Sequence, residues 1–181
     1  MTSYCSKFNN DLLDPIHKKY HNSVYGFPES DDNKLFEKLS LEINQAGLSW
    51  DIILKKYTEL KKAYSGFNII KVAAYKSDQI NELLNNKKII RNKLKIYSIV
   101  YNAKAILKIQ NDHKSFKSWL DKKKCKNINQ WVKLFKKKFK FIGIKITEEF
   151  LLSSGYIEGA HNKDCKIHNE IIKCNPNWLK K

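Results

Sequence analysis

Apolar residues recur at three- and four-residue spacing along most of the chain, and the strict alternation that marks strands is weak throughout. Leu35, Phe36, Leu39 and Ile43 form one such stripe, opened by the capping run Ser30-Asp31-Asp32 and broken by Gly47. Ser49 caps a third helix over about 50–64, with Ile53, Leu54, Tyr57 and Leu60 turned inward. Before both, Asp14-Pro15 starts a helix with proline in its first turn, leading to Tyr20-His21. Short helices are expected near 70–75 and 77–84, then a turn at Asn85-Asn86-Lys87-Lys88 and a long helix over about 91–109. Others follow near 115–121 and 128–136, and a last long one between Gly143 and Gly155, a glycine suited to a helix C-terminus. The pattern predicts an all-α chain of many short helices forming a single compact domain over 1–181, a length that can bury a core without disulfide staples.

Charge narrows the partner. The formal net charge is +17, carried almost entirely by lysine, with Arg91 the only arginine. Such a surplus favours polyanions, nucleic acid first, although abundant asparagine and isoleucine also fit a general compositional bias. Lysine contacts would be salt-dependent and made to phosphates rather than to base edges. No apolar run is long enough for a membrane span, and the polar first ten residues lack a signal-peptide core. A cytoplasmic setting is expected, where Cys5, Cys125, Cys165 and Cys174 are free thiols or metal ligands.

His161 and Cys165 stand four residues apart, a spacing that aims both side chains at one point. Zinc takes four such donors in structural sites. From spacing alone the other two remain open among Cys5, His17, His21, Cys125, His168 and Cys174, and the pair can equally be two surface residues near a frayed end.

Several motifs then occur in order. Leu41-Glu42-Ile43-Asn44-Gln45-Ala46-Gly47-Leu48-Ser49-Trp50 is the most specific. With it stand Tyr20-His21, Gly26-Phe27-Pro28-Glu29, Lys71-Val72-Ala73-Ala74, Ile89-Ile90-Arg91-Asn92-Lys93, Asn102-Ala103-Lys104-Ala105 and Phe139-Lys140-Phe141-Ile142-Gly143. Together, across about 5–165, they resemble the bacterial type I 3-methyladenine DNA glycosylases, a branch of the helix-hairpin-helix glycosylase superfamily.

The resemblance implies a helix-hairpin-helix glycosylase fold, with the hairpin at about 79–96. It also implies one structural zinc on Cys5, His21, His161 and Cys165, clamping the two ends, 5–21 and 161–165. Cys125, Cys174, His17 and His168 are then bystanders, the two histidines at the surface. It implies base-excision repair of double-stranded DNA carrying alkylated bases, by hydrolytic release of 3-methyladenine (3-methylguanine also fits), without lyase activity, membrane or protein partner. Glu42 would be the catalytic carboxylate on the flipped base. Trp50, Tyr20, Tyr25 and Phe8 would line its pocket. Gln45, Gly47 and Leu48 would enter the DNA stack, and Arg91 and Lys93 would meet the backbone. Taken singly, the same residues have ordinary alternatives: a solvated helix charge for Glu42, core packing for Trp50, Leu48 and Tyr20.

The chain departs from the family at several points. Cys5-Ser6-Lys7-Phe8 replaces Cys-x-Trp, and His21-Asn22-Ser23-Val24-Tyr25-Gly26 keeps one aromatic but neither acid of His-Asp-x-Glu-Trp-Gly. Leu94 stands where the hairpin has glycine, and Ile144-Lys145 where two threonines follow Gly143. These changes also suit an alternative, a zinc-stabilised module that binds alkylated DNA without cutting it.

Overall fold

A computed structural model describes residues 4–5 and 14–180. Among them are ten α-helices and no strand. The helices are α1 (Pro15–Ser23), α2 (Asp32–Gln45), α3 (Trp50–Ala63), α4 (Ile69–Ala73), α5 (Ser77–Asn85), α6 (Lys93–His113), α7 (Phe116–Asp121), α8 (Ile128–Lys138), α9 (Ile144–Ser153) and α10 (Lys166–Lys173). The chain divides into two compact units, Met1–Glu29 with Glu149–Lys181, and Ser30–Glu148.

Side-chain caps set most of the helix starts. Asp14, Asp31, Ser49, Asn68, Asn92, Ser115 and Asn127 each accept a hydrogen bond from an amide two or three residues onward. Each such cap stabilises its helix by about 1 kcal/mol. The expected starts at Asp14-Pro15, Asp31 and Ser49 are therefore observed.

In the larger unit, α6 is central and packs against α2, α4, α5 and α7. Ile96, Ile99, Ala103 and Ile106 are buried along its length, beside Leu35, Phe36, Leu39 and Ile43 of α2. Burial along one face keeps α6 helical for 21 residues. Its start falls at Lys93, two residues later than expected, because Asn92 takes the Lys95 amide at 3.1 Å. Asp32 adds a second tie. Its carboxylate accepts the Phe116 and Lys117 amides (2.7 and 2.9 Å) and the Gln110 side chain (2.6 Å), fixing the start of α7 against the start of α2.

The smaller unit gathers α1, the end of α9 and α10. Gly26 is its tightest point. It has φ +85°, and a Cβ there would lie 2.8 Å from Ala160 Cβ, 2.9 Å from Ile171 Cδ1 and 3.2 Å from His161 Cδ2. Its amide donates to the Ser153 carbonyl at 3.1 Å. Helix α10 was not expected, the last helix having been placed before Gly155. It is short and mostly exposed, and Ile171 is its one buried residue.

Candidate functional site: a cysteine–histidine cluster and the α2–α3 turn

Two groups of predicted site residues are assembled, one in each unit. In the smaller unit the ligand atoms of Cys5, His21, His161 and Cys165 all lie within 4.8 Å of one another. Cys5 Sγ is 3.4 Å from both His21 Nε2 and His161 Nδ1, and Cys165 Sγ is 3.9 and 3.6 Å from the same two nitrogens. Cys5, His21 and His161 are buried. The other nitrogen of each ring is already engaged. His161 Nε2 donates to the Tyr25 carbonyl at 2.8 Å, and His21 Nδ1 meets Asn22 Oδ1 at 2.7 Å. These bonds turn the free lone pairs toward the sulfurs, the arrangement that orients metal-binding imidazoles. The Asn162 amide also donates to Cys5 Sγ at 3.4 Å. Burial lowers the His161 pKa, the Tyr25 carbonyl opposes that, and neighbouring His21 and His168 add to the lowering. This cluster can hold a metal ion.

Tyr20 and Tyr25 lie in the same unit, their rings 5.8 Å apart. The buried Tyr25 hydroxyl donates to Glu149 at 3.1 Å. Tyr4, unremarked in the sequence, joins them, its ring centroid 6.2 Å from that of Tyr20 and 5.5 Å from that of Tyr25. Burial pushes the Tyr4 hydroxyl pKa up. That hydroxyl hydrogen-bonds His17 Nδ1 at 2.8 Å, which corrects one expectation: His17 is buried rather than at the surface, because the Tyr4 side chain packs on it. Cys125, Cys174 and His168 stay outside the cluster, and His168 stacks on Trp178. Phe8 lies outside the described residues.

The larger unit carries Glu42, Gln45, Gly47, Leu48 and Trp50 on one short stretch. Glu42 sits in the last turn of α2 and is 5% exposed, so it is not a solvated helix charge. Ala46 ends the helix, exposed Gly47 takes φ +79°, and Ser49 caps α3, whose first residue is the half-buried Trp50. Gln45 Nε2 donates to the Leu48 carbonyl, and the Leu48 amide donates to the Gln45 carbonyl, both at 2.7 Å, closing the turn. Arg91 and Lys93 are exposed at the start of α6.

Lys95, absent from the expected site, meets this turn. It is 4% exposed, and its ammonium donates to the carbonyls of Asn44 (2.8 Å) and Ala46 (2.5 Å). Burial lowers its pKa. A signal was present in the sequence, since position 95 shares the inward face of α6 with Ile99, Asn102, Ala103 and Ile106, where a lysine is out of place.

A profile of the methyladenine glycosylase family matches residues 10–169. The DNA-3-methyladenine glycosylase 1 of Escherichia coli (strain K12) is 39% identical over 103 residues, which is 57% of this chain and 55% of that protein. This chain therefore matches little more than half the length of that curated relative. Solved structures align over more. A crystal structure of 3-methyladenine DNA glycosylase I in complex with 3-methyladenine superposes with a TM-score of 0.79 at 31% identity, covering 88% of this chain and 95% of that one. The Staphylococcus aureus 3-methyladenine DNA glycosylase I gives 0.78 at 31% identity, covering 88% and 94%. Matched from residue 10 to residue 169, the chain belongs to the methyladenine glycosylase family.

Proposed function

We propose that this protein is a base-excision repair enzyme, a monofunctional glycosylase that takes 3-methyladenine out of duplex DNA and releases it by hydrolysis. The observation that carries the proposal is Glu42, a carboxylate held almost free of solvent in the last turn of α2, eight residues before Trp50.

A buried carboxylate favours a cation beside it far more than a neutral ligand. 3-Methyladenine in DNA carries a positive charge; undamaged adenine does not. Glu42 would accept hydrogen bonds from the polar edge of the flipped base. The Trp50 indole would meet its face, a cation–π contact of about 0.5–2 kcal/mol. Tyr20, Tyr25 and Phe8 are further base-binding candidates by the family resemblance. As water adds to the sugar C1′, the glycosidic bond breaks, its electron pair leaves on the base, which departs neutral, and the added water loses its proton to solvent to leave a C1′ hydroxyl. The positive charge already weakens that bond, so binding the flipped cation supplies most of the catalysis and no general base is assigned.

The closed turn at 45–48 would fill the gap the base leaves, with Leu48 as the apolar wedge and Gln45 and Gly47 at its edges. The connection from α5 to α6 would serve as the hairpin. Arg91, Lys93 and the first amides of α6 would hold a DNA phosphate there.

The cysteine–histidine cluster would hold one zinc ion. Four donors placed tetrahedrally at zinc–sulfur and zinc–nitrogen distances lie about 3.3–3.8 Å apart. Of the four sulfur–nitrogen separations, 3.4, 3.4 and 3.6 Å fall in that range, and the fourth, Cys165 to His21 at 3.9 Å, lies just beyond it. With all four positions filled by protein the ion is structural, clamping Cys5 and α1 to residues 161–165.

The test is release of free 3-methyladenine from methylated duplex DNA, with undamaged DNA and 7-methylguanine DNA as controls. Release by the unaltered protein that Glu42→Ala abolishes supports the proposal. Tight binding to alkylated DNA with no release would replace it with the non-cutting module.

A further inference from the structure

The turn at 45–48 is tied to the helix that begins the second half of the hairpin, and one buried side chain makes the tie. Lys95 is the third residue of α6. Its backbone belongs to the helix start, with the amide held by Asn92 Oδ1. Its side chain runs to the end of α2, donates to the carbonyls on either side of Gln45, and has the Phe141 ring 6.0 Å from the ammonium. The last carbonyls of a helix lack partners within the helix and carry its negative dipole end, so a cation there is doubly favoured. Without it, the carbonyls of Asn44 and Ala46 would lose this cation, and past Ala46 the turn would keep the two Gln45–Leu48 bonds.

We propose that Lys95 is a positioning residue that couples the hairpin to the wedge turn, so that seating a DNA phosphate at the start of α6 fixes where Leu48 enters the stack. This rests on residues 45–48 being the wedge. Holding the turn in place before DNA arrives removes an ordering cost that base flipping would otherwise carry. A buried amine also suits Schiff-base chemistry in other enzymes. Here the ammonium is turned onto two main-chain carbonyls, which makes it a strut rather than a nucleophile.

Lys95→Met keeps the apolar stem and removes the donors. In the DNA-free protein, amide hydrogen exchange over 45–48 should accelerate, a readout that needs no activity. The kcat/KM on methylated duplex should fall about tenfold to a hundredfold, the scale of a misplaced group. The affinity for free 3-methyladenine base should not change, since the free base enters the pocket without flipping. Leu48→Ala, which removes the wedge but leaves the buried core, should give the same split, and the double variant should be no worse than either single one. Unchanged exchange, an equal loss of free-base affinity, or additive losses would overturn the coupling. So would a borohydride-trapped adduct with abasic duplex that Lys95→Met abolishes. If the unaltered protein releases no base, the glycosylase proposal fails on its own, while the exchange comparison still decides whether Lys95 orders the turn.

Discussion

His161 donates from Nε2 to the main-chain carbonyl of Tyr25 at 2.8 Å, which commits its Nδ1 lone pair to the sulfurs of Cys5 and Cys165. A carbonyl can only accept, so this one bond selects the imidazole tautomer needed for metal binding. The residue supplying that carbonyl also lies beside Tyr20, so the cysteine–histidine cluster and the aromatic pair share one support.

Removing a ligand should therefore cost both metal and stability. We expect about one zinc per chain in the purified protein by metal analysis, and clearly less in Cys165→Ala. Loss of the clamp should lower the Tm by roughly 10 °C, since a few kcal/mol shifts a domain of this size by that much. Strong chelators should do the same to the unaltered protein, and zinc should restore it.

Acid should act in the same direction. Burial holds His161 below the ordinary histidine value of 6.5, so the unfolded chain takes up this proton more readily than the folded one. Its contribution to stability is then complete above about pH 6.5 and declines as pH falls below it. Ligand protonation also competes with metal. Melting curves between pH 7.5 and 5 should show Tm falling with released zinc, and a Tm that is flat or rises on acidification would contradict this.

Gly26→Ala should be among the more damaging single-methyl changes. It puts a side chain at φ +85° and drives a Cβ into Ala160, Ile171 and His161. A cost of about 2–4 kcal/mol is expected from strain and overpacking together. Zinc content should fall with it because His161 is one of the displaced groups, and thermal melts beside metal analysis measure both effects.

Base release should separate the roles on the α2–α3 turn. Glu42→Gln keeps the shape and a hydrogen-bonding oxygen but removes the charge, so it should lower release by about 10- to 1000-fold, the range a lost charged interaction of about 1.5–4 kcal/mol produces. Trp50→Ala should weaken free 3-methyladenine binding. Leu48→Ala should leave that binding intact and slow only the duplex reaction. Base-release kinetics and titration with the free base distinguish the three.

Local chemistry made much of this legible in the sequence. Caps such as Asp31, Ser49 and Asn127 need only their own neighbours along the chain, so helix starts could be read within a few residues. The motif running from Leu41 to Trp50 is contiguous, and it located Glu42, Gly47 and Trp50 on one helix–turn–helix before any coordinates. Helix α10 escaped because its short pattern has a single buried contact, and the burial of His17 depends on Tyr4, thirteen residues away. For Lys95 the sequence shows a lysine out of place on the inward face of α6 but not what it binds. Its partners are carbonyls about 50 residues distant, and main-chain carbonyls leave no trace in a sequence. Spacing alone paired His161 with Cys165, and the family resemblance added Cys5 and His21 as candidate ligands. Only the folded arrangement brings Cys5 within 3.4 Å of His161 across 156 residues, because packing rather than sequence spacing closes a loop of that length.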